Sequence, residues 1–291
     1  MVRNTDIERA VGGIERDGFT LLEEVIPAAE IGSIRNDVVA AQARHHEESE
    51  ALKNAIRKAG HRVGVEGVAS MRGVINKTQS FAPYLVDERV IGVARHFFGE
   101  HIRISCTDCV VNLPDCGRGY WHADWPYNQT NASRIPTPYP QAVLHLSSIW
   151  MISDFNTDNG GTLLVPGSHR VLQNPSSAEL PDVDRDAPYP TEVHATGWAG
   201  SVLMYDSRLW HAVPSNNSDE ARVALIIRFA PWWLSLEPTR PNSPEHTAMV
   251  VEAGGKDYAS PLLKAEVFTA LPEAVKPLYR HWVEEGAPSG S

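Results

Sequence analysis

His122 and Asp124 stand two residues apart in Tyr120-Trp-His-Ala-Asp-Trp-Pro126, and His211 lies far downstream in Arg208-Leu-Trp-His-Ala-Val-Pro214. On an extended strand successive side chains point to opposite faces, so His122 and Asp124 share a face while Ala123 points away. Two imidazoles and one carboxylate can fill one face of a metal ion and leave the other open, which suits non-haem Fe(II) centres that activate oxygen. Taken alone, a His-x-Asp pair is common by chance and can equally be solvated or satisfied in a core. Arg222, eleven residues beyond His211, adds a second chemical element. A planar guanidinium grips a carboxylate through two parallel hydrogen bonds. Arg222 opens the apolar run Ala221-Arg-Val-Ala-Leu-Ile-Ile-Arg-Phe-Ala230, where an unpaired charge is costly. The competing reading of Arg222 is a surface ion pair.

The segments around these residues read as the strands needed to bring them together. Residues 143–169 give a strand, a turn at Asp158-Asn-Gly-Gly161, a second strand and a Pro-Gly turn. A glycine turn at 197–200 feeds a strand over 201–206, and His211 follows near a strand end. With the β-branched run from Arg222, these pieces build an antiparallel barrel with the ligands at one mouth. Upstream, residues 5–60 read as helical apart from a strand near 17–25, and 84–98 as a helix closed by Gly99. A final helix is expected over 271–285. Residues 60–80, 126–141 and 173–193 read as loops, of the kind that shape or gate a pocket. No internal repeat or linker splits the chain.

On particular motifs the chain resembles the phytanoyl-CoA dioxygenase-like (PhyH) family of Fe(II)/2-oxoglutarate-dependent dioxygenases. These are His122-x-Asp124, Asn159-Gly-Gly-Thr-Leu-Leu-Val-Pro-Gly-Ser-His169, His211 with Arg222, and Asp17-Gly-Phe-Thr-Leu-Leu-Glu-Glu-Val-Ile-Pro27. The resemblance runs from about residue 14 to 235. It implies a mainly β fold with flanking helices, a double-stranded β-helix or jelly roll. One domain over 1–291 is expected, with a core at about 100–235, helical N-terminal support and a C-terminal helix. It implies that His122, Asp124 and His211 bind iron and that Arg222 holds the distal carboxylate of 2-oxoglutarate. Thr162 is then either a hydroxyl donor to the cosubstrate or an ordinary strand threonine. The implied cofactors are Fe(II), 2-oxoglutarate and O2. The implied reaction is hydroxylation of an unactivated C–H bond with release of succinate and CO2. Desaturation, ring closure and epimerisation share that chemistry. Halogenation is disfavoured by Asp124, since related halogenases carry a small residue there to admit halide.

Composition sets broader limits. The chain has 291 residues, 42% of them hydrophobic, enough for a sizeable core. A net charge of −10 disfavours nucleic acid and anionic membrane as partners, and no apolar run reaches the length of a span. A small-molecule substrate and a cytoplasmic location are the expectations. Cys106, Cys109 and Cys116 cluster before His122, but strand alternation puts the first two on opposite faces. Reduced buried thiols are therefore favoured over a Cys3His zinc site. Trp125 and Tyr127 follow the metal motif into a loop and are expected to contact substrate. Trp150 and Trp210 are expected to pack, and His145 and His169 to be structural. Lys77 is a further candidate for the cosubstrate. Two other classes stay open: a cupin-type metalloenzyme that needs no 2-oxo acid, and a non-catalytic ligand-binding barrel.

Overall fold

The computed structural model describes residues 4–124, 141–171, 173–175 and 182–284. Three α-helices and one strand precede the core: α1 (Asn4–Asp17), β1 (Phe19–Leu22), α2 (Ala28–Arg44) and α3 (His46–Lys58). A short strand β2 (Val68–Met71) lies inside the region that reads as a loop, where it adds to the sheet edge by pairing with β3 (Ile102–Asn112). The helical reading of 84–98 divides into a 3₁₀ turn at Ala82–Val86 and α4 (Glu88–Phe98). Asp87 causes the division: its carboxylate accepts from the Arg89 and Val90 amides and starts a new helix there.

The remaining strands are β4 (Leu146–Met151), β5 (Leu163–Leu164), β6 (Val193–His194), β7 (Val202–Asp206), β8 (His211–Ala212) and β9 (Arg222–Pro231). They form a six-stranded antiparallel sheet, β1-β7-β4-β9-β3-β2, and a three-stranded one, β6-β5-β8. An isolated antiparallel bridge from His122 to His211 extends the smaller sheet. This is a jelly-roll sandwich with helices on one side; among the described residues the larger sheet does not close into a barrel.

Alternation along β9 divides the interior in two. Val223, Leu225, Ile227 and Phe229 enter the large core that α1, α2 and α4 cover. Arg222, Ala224, Ile226 and Arg228 face the smaller sheet. A second apolar cluster of Ile149, Met151, Phe155, Leu164, Leu203 and Ala224 glues the sheets together there. The large sheet is thus apolar on its helix side and mixed on its inner side, and the mixed side carries the site.

The C-terminal helix is shorter than expected. Helical turns occur at Ala265–Ala270, Lys276–Tyr279 and Arg280–Trp282. Pro272 and Pro277 interrupt what spacing alone reads as one helix.

Candidate active site

His122 and His211 face each other across the bridge that joins their strands. Their amides and carbonyls exchange hydrogen bonds of 3.0 and 2.9 Å, and their rings lie 4.2 Å apart. Asp124 is held by its own amide on the Ser207 carbonyl at 2.8 Å. One nitrogen from each histidine and one Asp124 oxygen lie within 4.8 Å of one another, the only such group of three among the described residues. None of the cysteines joins it; all three are free and buried.

The protonation states suit a cation. The Nδ1 atoms of His122 and His211 lie 3.1 and 2.9 Å from the Tyr120 and Leu209 carbonyls. A carbonyl only accepts, so each Nδ1 carries a proton, which leaves each Nε2 as the nitrogen available to a metal. Burial, aided by His211, pushes His122 down to about 3, so it is neutral near pH 7. Burial opposes ionisation of Asp124, but Arg228 and the two histidines outweigh it and hold the carboxyl below its usual range.

Sheet register explains how Asp124 is fixed. Ser147 pairs with Tyr205 on one side and Arg228 on the other, so all three stand in one cross-strand row. Ser147 Oγ and Tyr205 Oη donate to Asp124 Oδ2 at 2.7 and 3.0 Å. Arg228 Nη2 donates to Oδ1 at 2.7 Å, and that oxygen is also the one 3.7 Å from His211 Nε2. Sequence reasoning missed this row because its members are far apart in the chain. Ser147 continues to Ser207 at 2.8 Å, and Ser207 to His145 Nδ1 at 2.7 Å. His145 is a satisfied buried histidine, as expected, although it also lines the cavity.

Arg222 begins β9 and is almost wholly buried. Its Nη1 lies 3.5 Å from Thr162 Oγ1, its guanidinium carbon 4.4 Å from the Phe155 ring centre, and its Nε has no partner. Among the described residues no carboxylate pairs with it, which replaces the surface ion pair with a buried cation lacking a counterion. Burial lowers it to about 10, still charged near pH 7. Thr162 lies two residues before Leu164, which pairs with His211, so alternation puts it on the inward face of the smaller sheet.

His122, Asp124, His145 and Arg228 line a cavity of about 380 Å³ that also reaches Arg72, Tyr120 and Tyr258. A wider groove of about 1080 Å³ beside α1 and α4 holds none of the triad. Trp125 and Tyr127 lie outside the described residues. Trp150 and Trp210 are buried in packing clusters. His169 sits in a turn against the Glu15 carbonyl at 3.4 Å. Lys77 turns away to Glu48 at 2.9 Å and is not a cavity residue.

Solved structures share this architecture. HygX of Streptomyces hygroscopicus, with nickel and 2-oxoglutarate bound, matches at TM-score 0.55 and 14% identity over 81% of this chain and 89% of its own. SnoK, a non-haem alpha-ketoglutarate-dependent carbocyclase from nogalamycin biosynthesis, matches at TM-score 0.57 and 19% identity, covering 77% and 83%. These likenesses define a jelly-roll fold. The family model for phytanoyl-CoA dioxygenase (PhyH) matches residues 14–224, and the chain belongs to that family. The ectoine dioxygenase of Nocardia farcinica is 25% identical over 74% of each chain. That of Streptomyces coelicolor is 25% identical over 88% of this chain and 82% of its own.

Proposed function

We propose that this chain is an Fe(II)- and 2-oxoglutarate-dependent oxygenase that hydroxylates an unactivated C–H bond of a small metabolite, releasing succinate and CO2. His122, Asp124 and His211 would hold the iron, and Arg222, with Thr162 beside it, the distal carboxylate of 2-oxoglutarate. The observation that carries the reading is the buried Arg222. An isolated cation there costs several kcal/mol unless an anion meets it, and the chain supplies none among the described residues. A metalloenzyme that uses no 2-oxo acid has no need of such a residue.

Bound iron supplies oxygen activation, and the protein's part is arrangement. Carbonyls on both Nδ1 atoms fix the imidazoles with Nε2 inward. The Ser147–Tyr205–Arg228 row keeps Asp124 ionised and oriented. Asp124 fills the position a halide would need, so oxidised rather than halogenated products are expected. The ectoine dioxygenase relatives support a small substrate. The three free buried thiols agree with a cytoplasmic location. No helix among the described residues is long and apolar enough to cross a membrane.

The test is metal content and cosubstrate turnover together. The protein should bind about one Fe(II) per chain, as a single facial triad does, and convert 2-oxoglutarate to succinate. His122→Ala, Asp124→Ala and His211→Ala should each remove both properties while leaving the chain folded. Undiminished turnover after chelation would overturn the assignment.

A further inference from the structure

The wall of the same cavity carries two cations that neither the metal nor the cosubstrate uses. Arg72 follows β2 at the edge of the large sheet, and Lys256 lies on the segment after the short helices at 244–251. Both approach one aromatic ring. The Arg72 guanidinium carbon is 5.1 Å and the Lys256 Nζ 4.5 Å from the centre of Tyr258. Arg72 also donates to the Tyr258 carbonyl, while its buried Nε has no partner.

Like charges on one ring repel, and this chain has acids to spare, 36 against 26 basic residues. The other cavity cations are neutralised: Arg228 by Asp124, and Lys53 by Glu50 at 2.7 Å. Arg72 and Lys256 form no ion pair among the described residues. Of the two acidic side chains that line the cavity, Asp124 is held by Arg228, and Asp108 accepts from the Gly73 amide at 3.0 Å. Burial and the nearby Arg62 lower Lys256 to about 8, as expected for an ammonium without a counterion.

We propose that Arg72 and Lys256, bracketing Tyr258, form an anion subsite that takes a carboxylate or phosphate of the primary substrate and leaves its remainder facing His122 and Asp124. The word substrate rests on the oxygenase reading; the binding of an anion does not. Arg222, at the inner end of β9, serves the cosubstrate, so the two carboxyl-type groups have separate receptors. The cavity of about 380 Å³ fits a small anionic metabolite.

The experiment uses the full chain without iron or 2-oxoglutarate, so that its outcome is independent of turnover. Labelling of Lys256 by an amine-reactive ester is followed by peptide mass spectrometry in inorganic phosphate, in acetate, and in sodium chloride of equal ionic strength. Exposed Lys264 is the internal comparator. Phosphate or acetate is expected to slow labelling of Lys256 about ten-fold relative to Lys264, through charge-assisted bonds that exclude the reagent. Protection by phosphate alone identifies a phosphorylated substrate, and by acetate a carboxylated one. Arg72→Gln should abolish the protection. Equal labelling in all three salts, or protection that survives Arg72→Gln, overturns the subsite. If Arg72→Gln does not fold, Lys256→Gln replaces it, read by NMR line broadening of the same anion against the wild type, with Arg222 contributing equally to both: unchanged broadening overturns the proposal and reduced broadening supports it. Protection here, together with no succinate formed by the iron-loaded protein in the separate turnover test, would instead sink the oxygenase reading and leave the subsite standing.

Discussion

Two arginines on one face of β9, six residues apart, do opposite things because their surroundings differ. Arg222 has a hydroxyl, a ring and no carboxylate; Arg228 has Asp124. Arg222→Lys should therefore raise the 2-oxoglutarate requirement ten- to hundred-fold, since losing a two-pronged charged grip costs about 1.5–3 kcal/mol. The requirement for primary substrate should change little. Steady-state kinetics in each ligand checks this, and an unchanged 2-oxoglutarate KM removes Arg222 from its role. Arg228 competes with a metal for Asp124 Oδ1. Arg228→Gln should lower the stability of the metal-free protein by about 2 kcal/mol, below the roughly 3–5 kcal/mol of a fully buried pair because the Arg228 side chain is partly exposed. The same variant should gain more in melting temperature on adding Mn(II) than the wild type does. An equal gain would mean that Arg228 does not oppose metal binding.

At the scale of elements, the turn before β5 sets where Thr162 meets Arg222. A Cβ on Gly161 would lie 2.6 Å from the Ala195 carbonyl oxygen and 3.0 Å from that of Asn156, both backbone atoms. Gly161→Ala must push β5 and β6 apart. Overpacking of this kind costs about 1–3 kcal/mol. The variant should bind 2-oxoglutarate more weakly than its loss of stability explains, which denaturation and titration together would reveal. Such local constraints can be read along the chain: the Gly-Gly turn, the strand pattern of β4 and β9, and the i, i+2 spacing of His122 and Asp124. What escaped was non-local. Ser147, Tyr205 and Arg228 meet only through the register of three strands, and no single window contains it. Arg72 and Lys256 converge on Tyr258 from opposite parts of the chain. The unexpected strand β2 carries the short run Val68-Ala-Ser-Met71, and its partner β3 makes it a strand.

At the scale of the whole molecule, the metal-free fold keeps several histidines neutral. Burial lowers His122, His145 and His281 to about 3, helped by His211, by Arg228, and by Arg103 with Arg240 respectively. An unfolded histidine titrates near 6.5. Between these values the unfolded chain binds more protons than the native one, so stability rises with pH and falls as pH drops below about 6.5. One fully shifted histidine contributes about 1.4 kcal/mol per pH unit in that window. Discounted for partial hydration, three of them should cost the protein on the order of 2 kcal/mol per unit between pH 6 and 4.5. Carboxylates held low, such as Asp124, add their loss only at lower pH. Urea midpoints at pH 7, 6 and 5 measure the slope. Neither ring nitrogen of His281 has a hydrogen-bond partner, so His281→Leu removes one proton from the balance without breaking a bond. It should flatten the profile by about a third if the three sites contribute equally. Bound Fe(II) should steepen it, because protons then compete with the metal for His122 and His211. A profile that stays flat from pH 7 to 5 would mean that the folded and unfolded chains take up equal numbers of protons, so that burial does not hold His122, His145 and His281 below the ordinary histidine range.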